Sequence, residues 1–290
     1  MINTETESLL SIRNVSNTYI TQAYGGLGRK EEKPVLDHIS LEIAPGEIFG
    51  LVGESGCGKT TLGRCILGLI DYEGEIIIDG LRQDRKRRRR KAMAKTVQAV
   101  FQDPAASLNP AKRVGWLLEE PLRQEAARQN VGRQEVGHLH GTGGKQERLR
   151  RVDEVLELVG LESAYKYRRV NELSVGQKQR ISIGCALMLR PKLIIADEPV
   201  SSLDVSVGAQ ILNLFRDLHQ QLGLSLLFIS HNLDLVYYLC DMIAVMEAGQ
   251  IVETGTAEGI YSSPKHEYTR KLLEAGSPAS PALNLQLSSS

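Results

Sequence analysis

Eight consecutive residues, Gly53-Glu54-Ser55-Gly56-Cys57-Gly58-Lys59-Thr60, constrain this chain more than any other stretch in its 290 positions. The pattern G-x-x-x-x-G-K-[ST] is a phosphate-binding loop, and it needs a buried strand before it and a helix after it. Ile48 to Val52 is an apolar run of strand length, and Thr61 to Leu67 has the composition of a helix. Gly53, Gly56 and Gly58 would let successive N–H groups turn inward toward phosphate oxygens, and the positive end of the helix dipole would add to the attraction. Gly53 through Thr61, with Glu54, Ser55 and Cys57 between the glycines, are therefore candidate nucleotide contacts. Lys59 would reach the β- and γ-phosphates, and the Thr60 hydroxyl is a candidate Mg²⁺ ligand.

Composition narrows the alternatives. Lys+Arg and Asp+Glu both number 35, so global charge offers no attraction to nucleic acid. The four cysteines, Cys57, Cys65, Cys185 and Cys240, lack metal-type spacing and suit a reducing compartment. No apolar stretch reaches the ~20 residues that span a bilayer, and the N-terminus lacks the pattern of a signal peptide. The expectation is a chain that serves a membrane, if at all, through partners.

Leu9–Val15 and Val35–Ile43 alternate apolar and polar residues and read as antiparallel strands, with Gly25–Gly28 in a loop between them. Helices are expected over Val114–Arg128, Gln177–Leu189 and Val205–Leu222, the first broken or kinked at Pro121. Gln129–Lys145, with five glycines and with His138 and His140, reads as a flexible insertion. Arg85–Lys91 is almost wholly basic and reads as a solvated face. Alternating strands and helices argue an α/β domain with a mostly parallel sheet. Ile251–Glu274 reads as a small appended end, and Ser277–Ser290 as a disordered tail.

A second chemical locus is Leu193-Ile194-Ile195-Ala196-Asp197-Glu198. An apolar strand ending in two acids places them at the carboxyl edge of a sheet, where open α/β sheets bind ligands. Asp197 could hold Mg²⁺ and Glu198 could polarise an attacking water. Just before the helix at 177 stands Leu173-Ser174-Val175-Gly176-Gln177.

Together these motifs resemble the ATP-binding cassette (ABC) family, whose signature reads L-S-G-G-Q. Further elements fall in the family's order: Gln102 as its Q-loop glutamine, Ser202-Leu203-Asp204 as its D-loop, His231 as its switch histidine, and Tyr19 as the aromatic that stacks on adenine. The resemblance runs from Leu9 to Ala275. It implies a P-loop NTPase cassette with a mostly parallel core, an antiparallel β subdomain and a helical subdomain at about 104–190, residues 276–290 forming a tail. Glu198, His231 and Gln102 would be catalytic, and Thr60, Gln102 and Asp197 would hold Mg²⁺. Ser174, Gly176, Gln177 and Asp204 would contact ATP held by a second cassette. Val175 departs from the family's glycine. A β-branched residue resists φ > 0 and adds bulk, so the site it completes is expected to turn over slowly.

Val100–Pro110, Asp197–Leu214 and Tyr261–Leu273 resemble the ATPase subunits of oligopeptide, dipeptide and nickel importers. That group implies a related second ATPase chain, two transmembrane permease subunits and, indirectly, an extracellular or periplasmic substrate-binding protein. It also implies a peripheral position on the cytoplasmic face of the membrane. The competing class is a soluble ABC ATPase acting on nucleic acid or the ribosome, for which only the basic run at 85–91 speaks. Peptide, nickel and metal-chelate cargo stay open, because the ATPase does not touch the cargo.

Overall fold

A computed structural model of the chain describes residues 8–22, 30–83, 93–130 and 142–276. The glycine loop at 25–28, the basic run at 85–91, His138, His140 and the tail at 277–290 lie outside the described residues. The chain forms two compact units: one made of 1–99, 192–198 and 219–290, the other of 100–191 and 199–218.

The first unit holds two sheets. The antiparallel one has the order β2-β1-β4-β5, from β1 (Leu10–Gln22), β2 (Lys30–Ile43), β4 (Glu73–Ile78) and β5 (Leu81–Arg82). β1 runs well past Val15, where the apolar alternation stops. The polar half, through Gln22, is held by ladder pairs such as Thr18↔Pro34 and Gln22↔Lys30, a cause that hydrophobic patterning does not report.

The second sheet has the order β10-β9-β3-β8-β7-β6. Its strands are β3 (Ile48–Val52), β6 (Val97–Val100), β7 (Leu193–Asp197), β8 (Ser225–Ser230), β9 (Met242–Glu247) and β10 (Gln250–Thr256). β3 lies parallel to both β8 and β9, and every residue of β3, β7 and β8 is buried. Strands covered on both faces read as continuous apolar runs, as these do. Helix α1 (Lys59–Ile66) packs through Leu62, Cys65 and Ile66 into one apolar core shared with Leu10, Ile12, Ile76, Ile195 and Ile229. Gly63 faces the same core: a Cβ there would sit in ordinary van der Waals contact with the Ile229 and Ile195 side chains, at 3.4 and 3.5 Å. Each fully buried Leu or Ile contributes about 1.5–3 kcal/mol, which anchors α1 beneath its phosphate loop.

The second unit is mostly helical: α2 (Pro104–Ser107), α3 (Val114–Asn130), α4 (Thr142–Leu158), a 3₁₀ turn at Ser163–Tyr167, and α5 (Val175–Leu187). α3 continues through Pro121. The proline cannot donate to the Leu117 carbonyl, and the Cys185 thiol donates to it instead, at 3.8 Å. The stretch 129–145, expected as a flexible insertion, is helical at both described ends, since α3 reaches Asn130 and α4 starts at Thr142. Gly143 and Gly144 sit in the first turn of α4, where glycine costs a helix little. Gly184 lets α5 close on its neighbours, with Leu118 of α3 and Val155 of α4 at 3.1 and 3.2 Å from where a Cβ would stand. Buried Arg151 donates to the Leu187 carbonyl at the end of α5 at 2.8 Å, satisfying a helix-end acceptor with a cation. Helix α6 (Val205–Leu222) buries Gly208, Ile211, Leu212, Phe215 and Leu218, the one-sided stripe of an amphipathic helix. Among the described residues no helix is long and apolar enough to cross a membrane.

Candidate functional site

The phosphate loop joins β3 to α1 in the geometry its spacing predicts. Gly58 caps α1 with φ 112°, and Gly56 has φ 85°. Gly53 is needed for a different reason: a Cβ there would stand 2.1 Å from the Met246 carbonyl oxygen. The loop is tied to the sheet by the Gly249 N–H, which donates to the Cys57 carbonyl at 2.9 Å. Lys59 is buried, 5% exposed, and its Nζ donates to the Gly53 and Glu54 carbonyls at 2.7 and 2.9 Å. The hydrogen-bond partners of this buried ammonium among the described residues are neutral groups, and a polyphosphate is the natural counterpart of a positive charge in such a loop. Cys57 lies beside it, Sγ 3.7 Å from Nζ, and burial pushes its thiol up despite the lysine.

The two acids at the end of β7 have different surroundings. Asp197 is 8% exposed, and its Oδ1 accepts from the Thr60 hydroxyl at 3.1 Å. Burial raises its carboxyl above the usual range, which the Thr60 hydrogen bond only partly offsets. Thr60 and Asp197 thus form an adjacent pair of hard oxygen donors, one of them a desolvated carboxylate; that donor set fits Mg²⁺.

Glu198 sits one residue past the strand with φ 49°. Its backbone N–H donates to the Ile229 carbonyl at 2.9 Å. A non-glycine residue held in the left-handed region costs about 1–3 kcal/mol, and such strain clusters at functional sites. The carboxylate is bonded to His231: Nδ1 lies 3.0 Å from Oε1. His231 follows β8, and Asn232 caps the next helix, α7 (Leu233–Leu239), its Oδ1 accepting from Asp234 N–H at 2.9 Å and Leu235 N–H at 3.3 Å. That cap directs the chain away from the strand just after the histidine. An asparagine ahead of an apolar helix is a recognisable capping signal, and it accounts for a residue to which sequence reading attaches no role.

The structure therefore brings Gly53–Thr61, Asp197, Glu198 and His231 together within the first unit. Tyr19 lies in the same unit, half-buried on β1, lining a groove with Asn17, Glu32, Ile70, Asp71 and Tyr72. None of Gly53–Thr60 lines that groove.

Gln102, Ser174, Gly176, Gln177 and Asp204 belong to the second unit. Gln102 is exposed in the turn after β6. Ser174 caps α5 in a reciprocal box: its Oγ accepts from the Gln177 N–H at 3.3 Å, and Gln177 Oε1 accepts from the Ser174 N–H at 3.1 Å. A hydroxyl that accepts a capping bond keeps its proton to donate to an anion. Val175 is the first residue of α5 and is not among the residues with positive φ. The conformational objection to a β-branched residue therefore falls away, and only its bulk remains, on a side chain 51% exposed. Gly176 is closely packed: a Cβ would meet Val207 Cγ1 at 2.6 Å, so the valine would have to shift to admit one. Asp204 starts α6, its Oδ1 accepting from the Val207 N–H at 3.0 Å.

Comparison with known proteins identifies the family. Residues 36–201 match the family described as ABC transporter. A Brucella ovis protein named as a peptide import ATP-binding protein is 45% identical, over 92% of this chain and 78% of the relative. A Brucella abortus protein of the same description is 46% identical over 83% of this chain and 68% of its own. Among solved structures, cbiO1 from Clostridium perfringens, part of the ABC transporter complex cbiONQ, superposes with a TM-score of 0.70 at 25% identity, covering 96% of this chain and 98% of its own. The ATP-binding cassette MJ0796, solved as a dimer in a post-hydrolysis state with ADP and Pi, gives 0.69 at 25% identity, covering 86% and 98%. A phosphate loop bonded to the acid at the end of β7, a strained glutamate bonded to a histidine, and relatives matched over most of the chain lead to one assignment: the chain belongs to the ABC transporter family.

Proposed function

We propose that this chain is the ATP-hydrolysing subunit of a membrane importer of peptides, working as one of two paired cassettes. The observation that carries the reading is the hydrogen-bonded pairs that lead from the phosphate loop to the histidine, Thr60 to Asp197 and Glu198 to His231. Gly53–Thr61 would bind the phosphates, with Lys59 turning from its carbonyl partners to the β- and γ-oxygens. Thr60 and Asp197, with Gln102, would hold Mg²⁺, which supplies charge neutralisation between the phosphates. Glu198 would accept the proton of the attacking water, its carboxylate oriented by His231, and His231 would sense the γ-phosphate. Tyr19 would stack on adenine.

Ser174, Gly176, Gln177 and Asp204 would complete the site of a second, related cassette; the dimeric state of MJ0796 supports pairing. Two transmembrane permease subunits would convert closure of the pair into transport, which puts the chain on the cytoplasmic face of the membrane. Peptide cargo is favoured over nickel or metal chelates by the names of the relatives. The decisive experiment is Glu198→Gln in the assembled complex. Hydrolysis should fall about 10²–10⁴-fold with ATP still bound, and an unaltered rate would remove Glu198 as the base.

A further inference from the structure

The Pro264–Thr269 stretch, P-K-H-E-Y-T, takes no part in the chemistry above, yet it is built with care. It follows the short helix α8 (Ala257–Ser262) and opens helix α9 (Glu267–Gly276). Glu253 on β10 accepts from the N–H groups of Lys265 and His266 at 2.8 and 3.0 Å. Burial works to raise the Glu253 carboxyl, but these bonds help to hold it below the usual carboxylate range. His266 Nδ1 accepts from the Tyr268 N–H at 3.2 Å. The Arg270 guanidinium donates to the Pro264 and Lys265 carbonyls at 3.2 and 3.0 Å. The start of the helix is thereby fixed to the sheet that carries the phosphate loop.

The product of this bracing is the placement of one side chain. Tyr268 is 9% exposed, and its phenol oxygen accepts from the backbone N–H of Glu54 at 2.9 Å. That N–H belongs to the same peptide group as the Gly53 carbonyl, to which Lys59 Nζ donates at 2.7 Å. One peptide unit at the entrance of the loop is thus held at both ends, by lysine on its oxygen and by tyrosine on its nitrogen. When Lys59 turns to phosphate, the oxygen loses its partner, and the phenol becomes the remaining side-chain hold on that peptide. The hydroxyl also occupies the Glu54 N–H, while the carbonyl of Glu54 accepts from the Cys57 N–H at 3.3 Å.

We propose that Tyr268 is a positioning residue for ATP binding, through which the C-terminal helix fixes the orientation of the Gly53–Glu54 peptide in the loaded loop. The inference rests on Gly53–Thr60 being the ATP site. Tyr268→Phe keeps the ring and removes only the acceptor. On the full chain it should weaken ATP·Mg²⁺ binding about three- to tenfold, the worth of one neutral hydrogen bond. It should also speed amide hydrogen exchange at Glu54 and lower the melting temperature by no more than the few degrees that one hydrogen bond is worth. Tyr261→Phe removes a phenol three residues before the stretch, which bonds Asp234 rather than the loop, and should leave ATP affinity unchanged. If Tyr268→Phe binds ATP like the parent, or if Glu54 exchange does not change, the inference is wrong. Lys59→Ala tests its foundation separately. Should that variant bind ATP as the parent does, the loop assignment and the inference fall together. Should it lose binding while Tyr268→Phe changes nothing, only the role of Tyr268 falls.

Discussion

Two glycines of the phosphate loop share an unusual backbone but not their surroundings, so alanine at each separates two energies. Gly56 has φ 85° and nothing within 4 Å of where a Cβ would stand. Gly56→Ala should therefore cost only the left-handed backbone penalty, about 1–2 kcal/mol. Gly58 has φ 112°, and its Cβ would meet the Val35 carbonyl oxygen and Met246 Cε, both at 2.8 Å. Methionine can rotate away; the carbonyl belongs to β2 and can move only with its strand. Forcing an atom into such packing adds about 1–3 kcal/mol, for a total of about 2–5 kcal/mol. A kilocalorie lowers the melting temperature of a domain of this size class by about 2–4 °C. Gly58→Ala should thus melt about 2–12 °C below Gly56→Ala in scanning calorimetry of the full chain. Gly58→Ala should also weaken ATP, because the clash lies between the loop and β2. Equal melting temperatures, or Gly56→Ala the lower of the two, would refute the claim that packing against Val35 is what reserves position 58 for glycine.

Asp197 should set a pH dependence. Burial raises its folded-state pKa, so it favours the fold most at low pH, and that contribution is lost as the pH rises through the raised value. Mg²⁺ competes with the same proton, so Mg²⁺-dependent ATP binding should weaken on acidification from a higher pH than an ordinary aspartate would cause; an onset within the ordinary range in a binding titration would contradict this. Asn232→Ala should destabilise the chain by about 0.5–2 kcal/mol through loss of the α7 cap, read as a lower denaturation midpoint; an unchanged midpoint would show that the cap is dispensable. Val175→Gly should raise turnover in the assembled complex by removing bulk from the signature, at a helix cost of under ~1 kcal/mol. Unchanged turnover would show that valine is neutral there.

The chemistry was legible along the chain because each motif is local. A glycine-rich loop between an apolar strand and a helix, or two acids ending an apolar strand, declares itself in a few residues. Helix starts were read less well: α5 begins at Val175 rather than Gln177 because Ser174 and Gln177 cap it reciprocally, so residues chosen for nucleotide contact are also structural. The polar half of β1 was invisible because its cause is a ladder with β2, not alternation. At Val175 the family's glycine suggests a need for φ > 0, but the position is helical, and whether a residue there needs that freedom is decided by the backbone rather than by its type.

What the sequence by itself determined is the phosphate loop and the apolar strand that ends in Asp197 and Glu198, both set by short-range spacing, whereas His231 became a candidate only through the resemblance to the ABC family. Only the tertiary structure decided that Glu198 is strained and bonded to His231, that Val207 packs closely on Gly176, and that Tyr268 holds the loop from 214 residues away. Those facts depend on which atoms meet when distant segments pack. No spacing along the chain encodes that meeting, because it arises from the close packing of β10, α9 and the loop in three dimensions.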